Sequence, residues 1–363
     1  MEQTQEEPAV TTGAAQTMEG ALTRPSNRIL PSLGILLVAG GFLVLGWLAY
    51  LWLSPGSAPY HYQLAEEGGV DKFGILGLEA WPDLAISKHE VLVEGVDRPL
   101  AVAYLARRGN AKPVMLNWEN RSGEPVVFVD GKLSELTALA TAITKHVPKD
   151  AVILAWWDTS RQIGLLTGYE TVFTSHLGEP LIMPSLWRAR SRAIEKYERE
   201  FWRAPASAEE SQKFQRFADA LVANPSEGAA MLRELTGGRE AYVAVHLSDL
   251  YKLGLMRPER LDVAYKDFPL KGGDVHGLSG MVKRWQADNK HTAYSVHGLS
   301  ENLVRAYFLT GDKSSNTLLA QMLPFTTTKP LELKAVQLVY QYGGYWVYKI
   351  PPMQTSSDYF FSG

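Results

Sequence analysis

The segment richest in usable chemistry is Asp150 to Thr171, DAVILAWWDTSRQIGLLTGYET. An apolar run from Ala151 ends in Trp156-Trp157-Asp158, and the chain then turns through Thr159 and Ser160. Two indoles beside a carboxylate can hold a hydroxyl or a cation by hydrogen bonding and ring stacking. In an open α/β sheet, ligand groups gather just beyond the C-terminal strand ends, and Asp158 falls at such an end. An aspartate there is equally an excellent cap for the helix that follows, with the tryptophans packed in a core. The residues alone leave both readings open. Trp156, Trp157, Asp158 and Arg161 form the candidate ligand-binding set.

Other chemistry is harder to find. Gly311-Asp312-Lys313-Ser314 has the end of a phosphate-binding loop without its beginning, and Gly277-Leu278-Ser279-Gly280 is one residue short of a nucleophile elbow. The eight histidines are scattered. Asp274 with His276, or His291 with His297, can meet on a strand face, but neither pair has the spacing of a metal motif. With no cysteine, disulfides, thiolate-held clusters and covalently attached haem are excluded. The expectation is therefore no metal and no cofactor. Without a catalytic constellation, enzyme activity is left open and a non-enzymatic role favoured. A net charge of −3 leaves no footprint for nucleic acid. The basic run from Arg188 to Arg203 alternates with Glu195, Glu198 and Glu200, as on a solvated helix face; it would also suit an acidic partner.

The elements around these residues follow from patterning. Residues 29–53 hold 25 positions and no charge, enough for a transmembrane helix, with Trp47, Tyr50 and Trp52 at its far end. Arg24 and Arg28 precede it and Glu66, Glu67 and Asp71 follow, so the positive-inside rule expects a cytoplasmic N-terminus and an inner-membrane, single-pass protein. Residues 1–28 read as a disordered cytoplasmic tail, 54–60 as a linker, 61–350 as a periplasmic domain and 351–363 as a flexible C-terminus. Strands are expected at 99–106, 114–118, 125–129 and 151–157, with a helix of period 3.6 over 132–146. Strand, helix, strand points to a βαβ unit. Residues 184–236 read as helical, with Ser207 and Glu210 spaced as a capping box. Further strands are expected at 241–246 and 292–297, a glycine-rich loop at 271–280, helices at 302–309 and 318–323, and a hairpin of 335–340 and 345–350 around Gly343-Gly344. The fold class is α/β: one N-terminal transmembrane helix, then a three-layer domain with a mixed sheet and a C-terminal β-hairpin.

Two resemblances extend this reading. AVILAWWDTSRQI is similar to the WWDYG segment of the oligosaccharyltransferase catalytic subunit, and GREAYVAVHLSDL, ENLVRAYFLTG and LKAVQLVYQYGGYWVYKI resemble later parts of that subunit's soluble domain. Trp156, Trp157 and Asp158 match the family's Trp-Trp-Asp, which binds an acceptor hydroxyl; Thr159 and Ser160 replace its Tyr and Gly. The family's multi-pass membrane part has no counterpart here, so the resemblance implies a shared domain and a hydroxyl-binding pocket, not glycosyl transfer. The single anchor, the cysteine-free domain and AWWDTSRQIG together resemble the HaoB family, encoded beside the multihaem hydroxylamine oxidoreductase of ammonia oxidisers. That resemblance implies a periplasmic accessory protein of hydroxylamine oxidation, with the oxidoreductase as partner and residues 29–53 in the bilayer. The alternative it leaves is an oligosaccharyltransferase-related domain binding a peptide or glycan hydroxyl.

Overall fold

A computed structural model of the chain describes residues 29–53, 57–121, 131–177, 185–203, 205–270 and 272–352. The chain divides into two compact units, 1–55 and 56–363. In the first, α1 (Ile29–Leu53) is a continuous helix without a charged residue. It is long and apolar enough to cross a membrane, and a signal sequence would share that composition.

In the second unit, β1 (Tyr60–Gly69), β2 (Leu84–Val93), β3 (Ala101–Arg108) and β4 (Val114–Asn120) form an antiparallel meander. The helix α2 (Leu133–His146) follows, and then β5 (Val152–Ala155), α3 (Trp157–Thr167) and β6 (Glu170–Thr171) make a parallel βαβ unit. The helices α4 (Ser191–Trp202), α5 (Ala208–Val222) and α6 (Pro225–Leu235) lead to β7 (Ala241–His246), which lies parallel to β5. Next come α7 (Asp249–Met256), β8 (Val263–Pro269), α8 (Val275–Asp288), β9 (Ala293–Ser300) and β10 (Leu303–Leu309). After α9 (Asp312–Ser315) and α10 (Leu318–Met322), the hairpin of β11 (Gln337–Tyr342) and β12 (Tyr345–Ile350) joins β7. The central sheet is thus mixed, in the order β11-β12-β7-β5-β6, and β8-β10-β9 form a separate antiparallel sheet.

Period-2 side-chain alternation makes the central sheet the middle of three layers. Val152, Leu154, Val243 and Val245 share one core with Phe214 and Phe217 of α5 and Leu232 of α6. Ile153, Ala155, Tyr242 and Ala244 point the other way, into a core with Leu136 and Leu139 of α2, Ile163 of α3 and Val102 of β3. The strands that carry the C-terminal edge of this sheet are therefore buried on both faces, which fixes where the loops after β5 and β7 emerge.

Several expectations change. The strand ending at Trp157 stops at Ala155, because Trp157 already opens α3. The strands at 99–106 and 114–118 are β3 and β4 of the meander, and the parallel βαβ unit is built around α3 rather than around the helix at 132–146. Residues 302–309 form a strand, not a helix: β10 is central and buried on both faces, so it lacks alternation. The stretch 271–280 is largely α8, whose cap Asp274 accepts the Gly277 N–H at 2.8 Å. Leu278, Val282 and Trp285 give that helix its apolar face. Tyr60, read as linker, begins β1. Ser207 does cap α5 through the Glu210 N–H, but the Glu210 carboxylate accepts from Thr174 and Ser175 N–H instead of closing the box. The strand expected at 125–129 lies outside the described residues.

Candidate functional site

The end of β7 and the helices α3 and α7 that follow β5 and β7 carry most of the polar groups around a cavity of about 30 Å³, lined by Asp158, Thr159, His246, Ser248, Lys252 and Tyr345 among others. That volume suits a guest of one to a few non-hydrogen atoms. Its position beyond adjacent parallel strand ends is the one an α/β sheet favours for ligands. Asp158 lies in the first turn of α3, where the cap is Trp156 and makes no side-chain bond. Its carboxylate accepts the Thr159 N–H at 2.7 Å and lies 3.6 Å from Lys252 Nζ. Lys252 also reaches Asp249 at 3.2 Å, and Asp249 in turn accepts the His246 backbone N–H at 2.8 Å. One ammonium thus ties the first turn of α3 to α7. The Tyr345 phenol is held well above its ordinary range by burial and then by the Asp158, Asp249 and Glu135 carboxylates.

His246 ends β7 and is 2% exposed. Beside it are Glu135 of α2 and His297 of β9, both also buried. His246 Nε2 is 3.8 Å from Glu135 Oε2, and His297 Nε2 is 3.6 Å from Glu135 Oε1. One donor atom from each residue lies within 4.8 Å of the others. Glu135 accepts one short hydrogen bond, from Gly344 N–H at 2.7 Å, and Lys132 Nζ approaches to 3.8 Å. Burial raises the Glu135 carboxyl, but the two histidines and the Gly344 N–H outweigh it and hold it well below the usual range. Burial pushes the His246 imidazole down, so this ring is neutral near pH 7.

The Gly343-Gly344 turn joins β11 to β12 and also makes room for this group. A Cβ on Gly343, whose φ is +55°, would overlap the Glu135 carboxyl, and one on Gly344 would overlap the His246 ring. Only glycine lets the turn close over the pair.

Of the residues singled out from sequence, Asp158 reaches the cavity. Trp156 is 1% exposed and packs edge-on to Phe214 in the core. Trp157 packs edge-on to His176. Arg161 turns inward, donating to the Pro113 carbonyl at 2.6 Å and lying 3.2 Å from His176 Nδ1. The sequence reading missed Glu135, His246, Ser248, Lys252 and Tyr345, and it paired His297 with His291 instead. A usable signal was a histidine closing the apolar run AYVAVH at the end of a parallel strand.

A family model described as "HaoA-associated protein HaoB" matches residues 26–350. Among solved structures, the C-terminal domain of C. jejuni PglB aligns with a TM-score of 0.34 and 9% identity, over 59% of this chain and 99% of that one. No curated protein matches the chain significantly.

Proposed function

The chain belongs to the HaoB family, and from that premise we propose that it is a membrane-anchored, periplasmic accessory protein of hydroxylamine oxidation that acts by binding the multihaem oxidoreductase. The observation that carries this reading is the family match over residues 26–350, which spans both the apolar helix and the α/β domain. The family's description names association with HaoA. The 25-residue α1 supports an anchor, since its length fits a bilayer core of about 30 Å. Arg24 and Arg28 on one side and Glu66, Glu67 and Asp71 on the other support a periplasmic domain. Tethering by one helix confines the domain to the membrane face and raises the effective concentration of a partner there.

The test is recovery of the partner. Mild detergent extraction of the full chain should bring down the oxidoreductase in near-stoichiometric amount, and the chain itself should stay in membranes through high-salt washing. Release of a soluble domain by salt, or recovery without any haem protein, would contradict the proposal.

A further inference from the structure

Glu135, His246 and His297 come from α2, the end of β7 and β9, and their arrangement is poorly explained by folding alone. A buried carboxylate and imidazole that stabilise one another form charge-assisted bonds of about 2.7–2.9 Å. Here the separations are 3.8 and 3.6 Å, too long for a hydrogen bond. Among the described residues, His246 Nε2 and both ring nitrogens of His297 have no hydrogen-bond partner, although His246 is 2% and His297 6% exposed. Leaving such groups unsatisfied in an interior is costly, so a missing partner is the simplest account.

We propose that Glu135, His246 and His297 bind one divalent first-row transition cation through a carboxylate oxygen and two imidazole nitrogens. Ligands at about 2.1 Å from a four- or six-coordinate ion lie about 3.0–3.5 Å apart. The two imidazoles face different oxygens of the Glu135 carboxylate, at 3.8 and 3.6 Å, and one donor atom from each residue lies within 4.8 Å of the others, so the three ligands would draw inward on binding. Two imidazoles with one carboxylate is a donor set that zinc and iron(II) both take, whereas calcium and magnesium prefer oxygen alone. Ser248 supplies the outer support: its Oγ, 2.8 Å from His246 Nδ1, can accept a hydrogen bond from Nδ1–H, the tautomer that leaves Nε2 bare for the ion. The Ser248 backbone N–H, 3.1 Å from the same nitrogen, favours the opposite tautomer without the ion. Cation binding would thus select between two bonds that Ser248 already offers. Three protein donors leave coordination positions for water or another small ligand, the pattern of reactive rather than closed structural sites. The neighbouring cavity is also lined by His246. This inference does not depend on the accessory role.

The full chain, purified in detergent with a tag free of histidine, stripped with chelator and dialysed, is titrated with cobalt(II) while its visible absorption is followed. One equivalent should bind with the absorption of a four- or five-coordinate ion and raise the melting temperature. Glu135→Gln, nearly isosteric, and His297→Ala should each weaken binding by about 100-fold or more. His276→Ala, at an exposed position of α8, should bind as the parent does. Far-UV circular dichroism establishes folding of each variant, and Glu135→Gln alone decides the matter if His297→Ala does not fold. No cobalt signal from the folded parent, or parent-like binding by a folded Glu135→Gln, would overturn the proposal.

Discussion

Two buried glutamates in this domain each sit beside histidine, and their surroundings differ. Glu198 of α4 accepts the Tyr60 hydroxyl at 2.6 Å, the Tyr62 hydroxyl at 3.1 Å and the Trp202 indole N–H at 2.6 Å. Its neighbour His176, 3.6 Å away, is stacked on Trp202 and bonded to Arg161. Glu135 has one short bond, from a backbone N–H, and its two histidines hold three unpartnered nitrogens among the described residues. The first cluster ties β1 to α4, and three short bonds from protein groups satisfy its carboxylate, although Arg161 Nε beside it has no partner among the described residues. The second is held open by a glycine turn and is complete only with something added. Burial and charge are shared by both; satisfaction separates a structural network from a candidate site.

The largest expected effect is on stability. Glu198→Ala strands two tyrosine hydroxyls, an indole N–H and a buried histidine, and should cost about 3–5 kcal/mol in urea unfolding. Glu135→Gln, without added metal ion, forfeits the stabilisation that holds the Glu135 carboxyl low but leaves fewer short bonds broken, and should cost less than Glu198→Ala. Equal losses in the two variants would erase the distinction.

Acidification tests the first cluster through its own variant, since the Glu135 carboxyl is also held low and adds its own loss at acid pH. Burial raises the Glu198 carboxyl, but His176, Tyr60 and Trp202 together hold it below its ordinary value of 4.5. A carboxyl depressed in the folded state contributes stability above its unfolded value, and that contribution is lost as pH falls through the folded one. The His176 imidazole is pushed below 6.5 by burial, so it too penalises the native state, starting as pH falls past 6.5. Unfolding free energy should therefore decline from about pH 6.5 downward and more steeply below about 4.5. Glu198→Gln should flatten only the lower limb. An unchanged profile in that variant would show that Glu198 is not held as described.

The smallest effect is expected at Asp158. Its partner Lys252 is 3.6 Å away, with side chains 25% and 21% exposed, and such pairs contribute little. Asp158→Asn should lower stability by under about 0.5 kcal/mol. A larger loss would mean that this carboxylate belongs with Glu198 as a structural group.

The contrast also explains what could be read from sequence. The apolar faces of α2 and the buried run of β7 follow from periodicity, so 132–146 and 241–246 were legible almost to the residue. The family resemblance rested on AWWDTSRQIG and the single anchor, and the match over 26–350 bears it out. The site was not legible, because its residues are local in no sense. Glu135 sits among the leucines of α2, His246 ends a strand, and His297 lies in a third element. The packing of α2 on the sheet, the β7–β12 pairing and the Gly343-Gly344 turn bring the first two together. The contiguous Trp156-Trp157-Asp158 drew notice by its composition, yet its two indoles are spent on packing. A spacing argument tests ligands carried on one element; it is blind to a site assembled from three.

The most direct measurement is a crystal of the domain-bearing chain grown with zinc and examined by anomalous scattering at the zinc edge. The account predicts one strong peak, about 2.0–2.2 Å from a Glu135 oxygen and from one ring nitrogen each of His246 and His297, with none at Glu198 and His176. A map without a peak at Glu135, or with one at Glu198 instead, would contradict it.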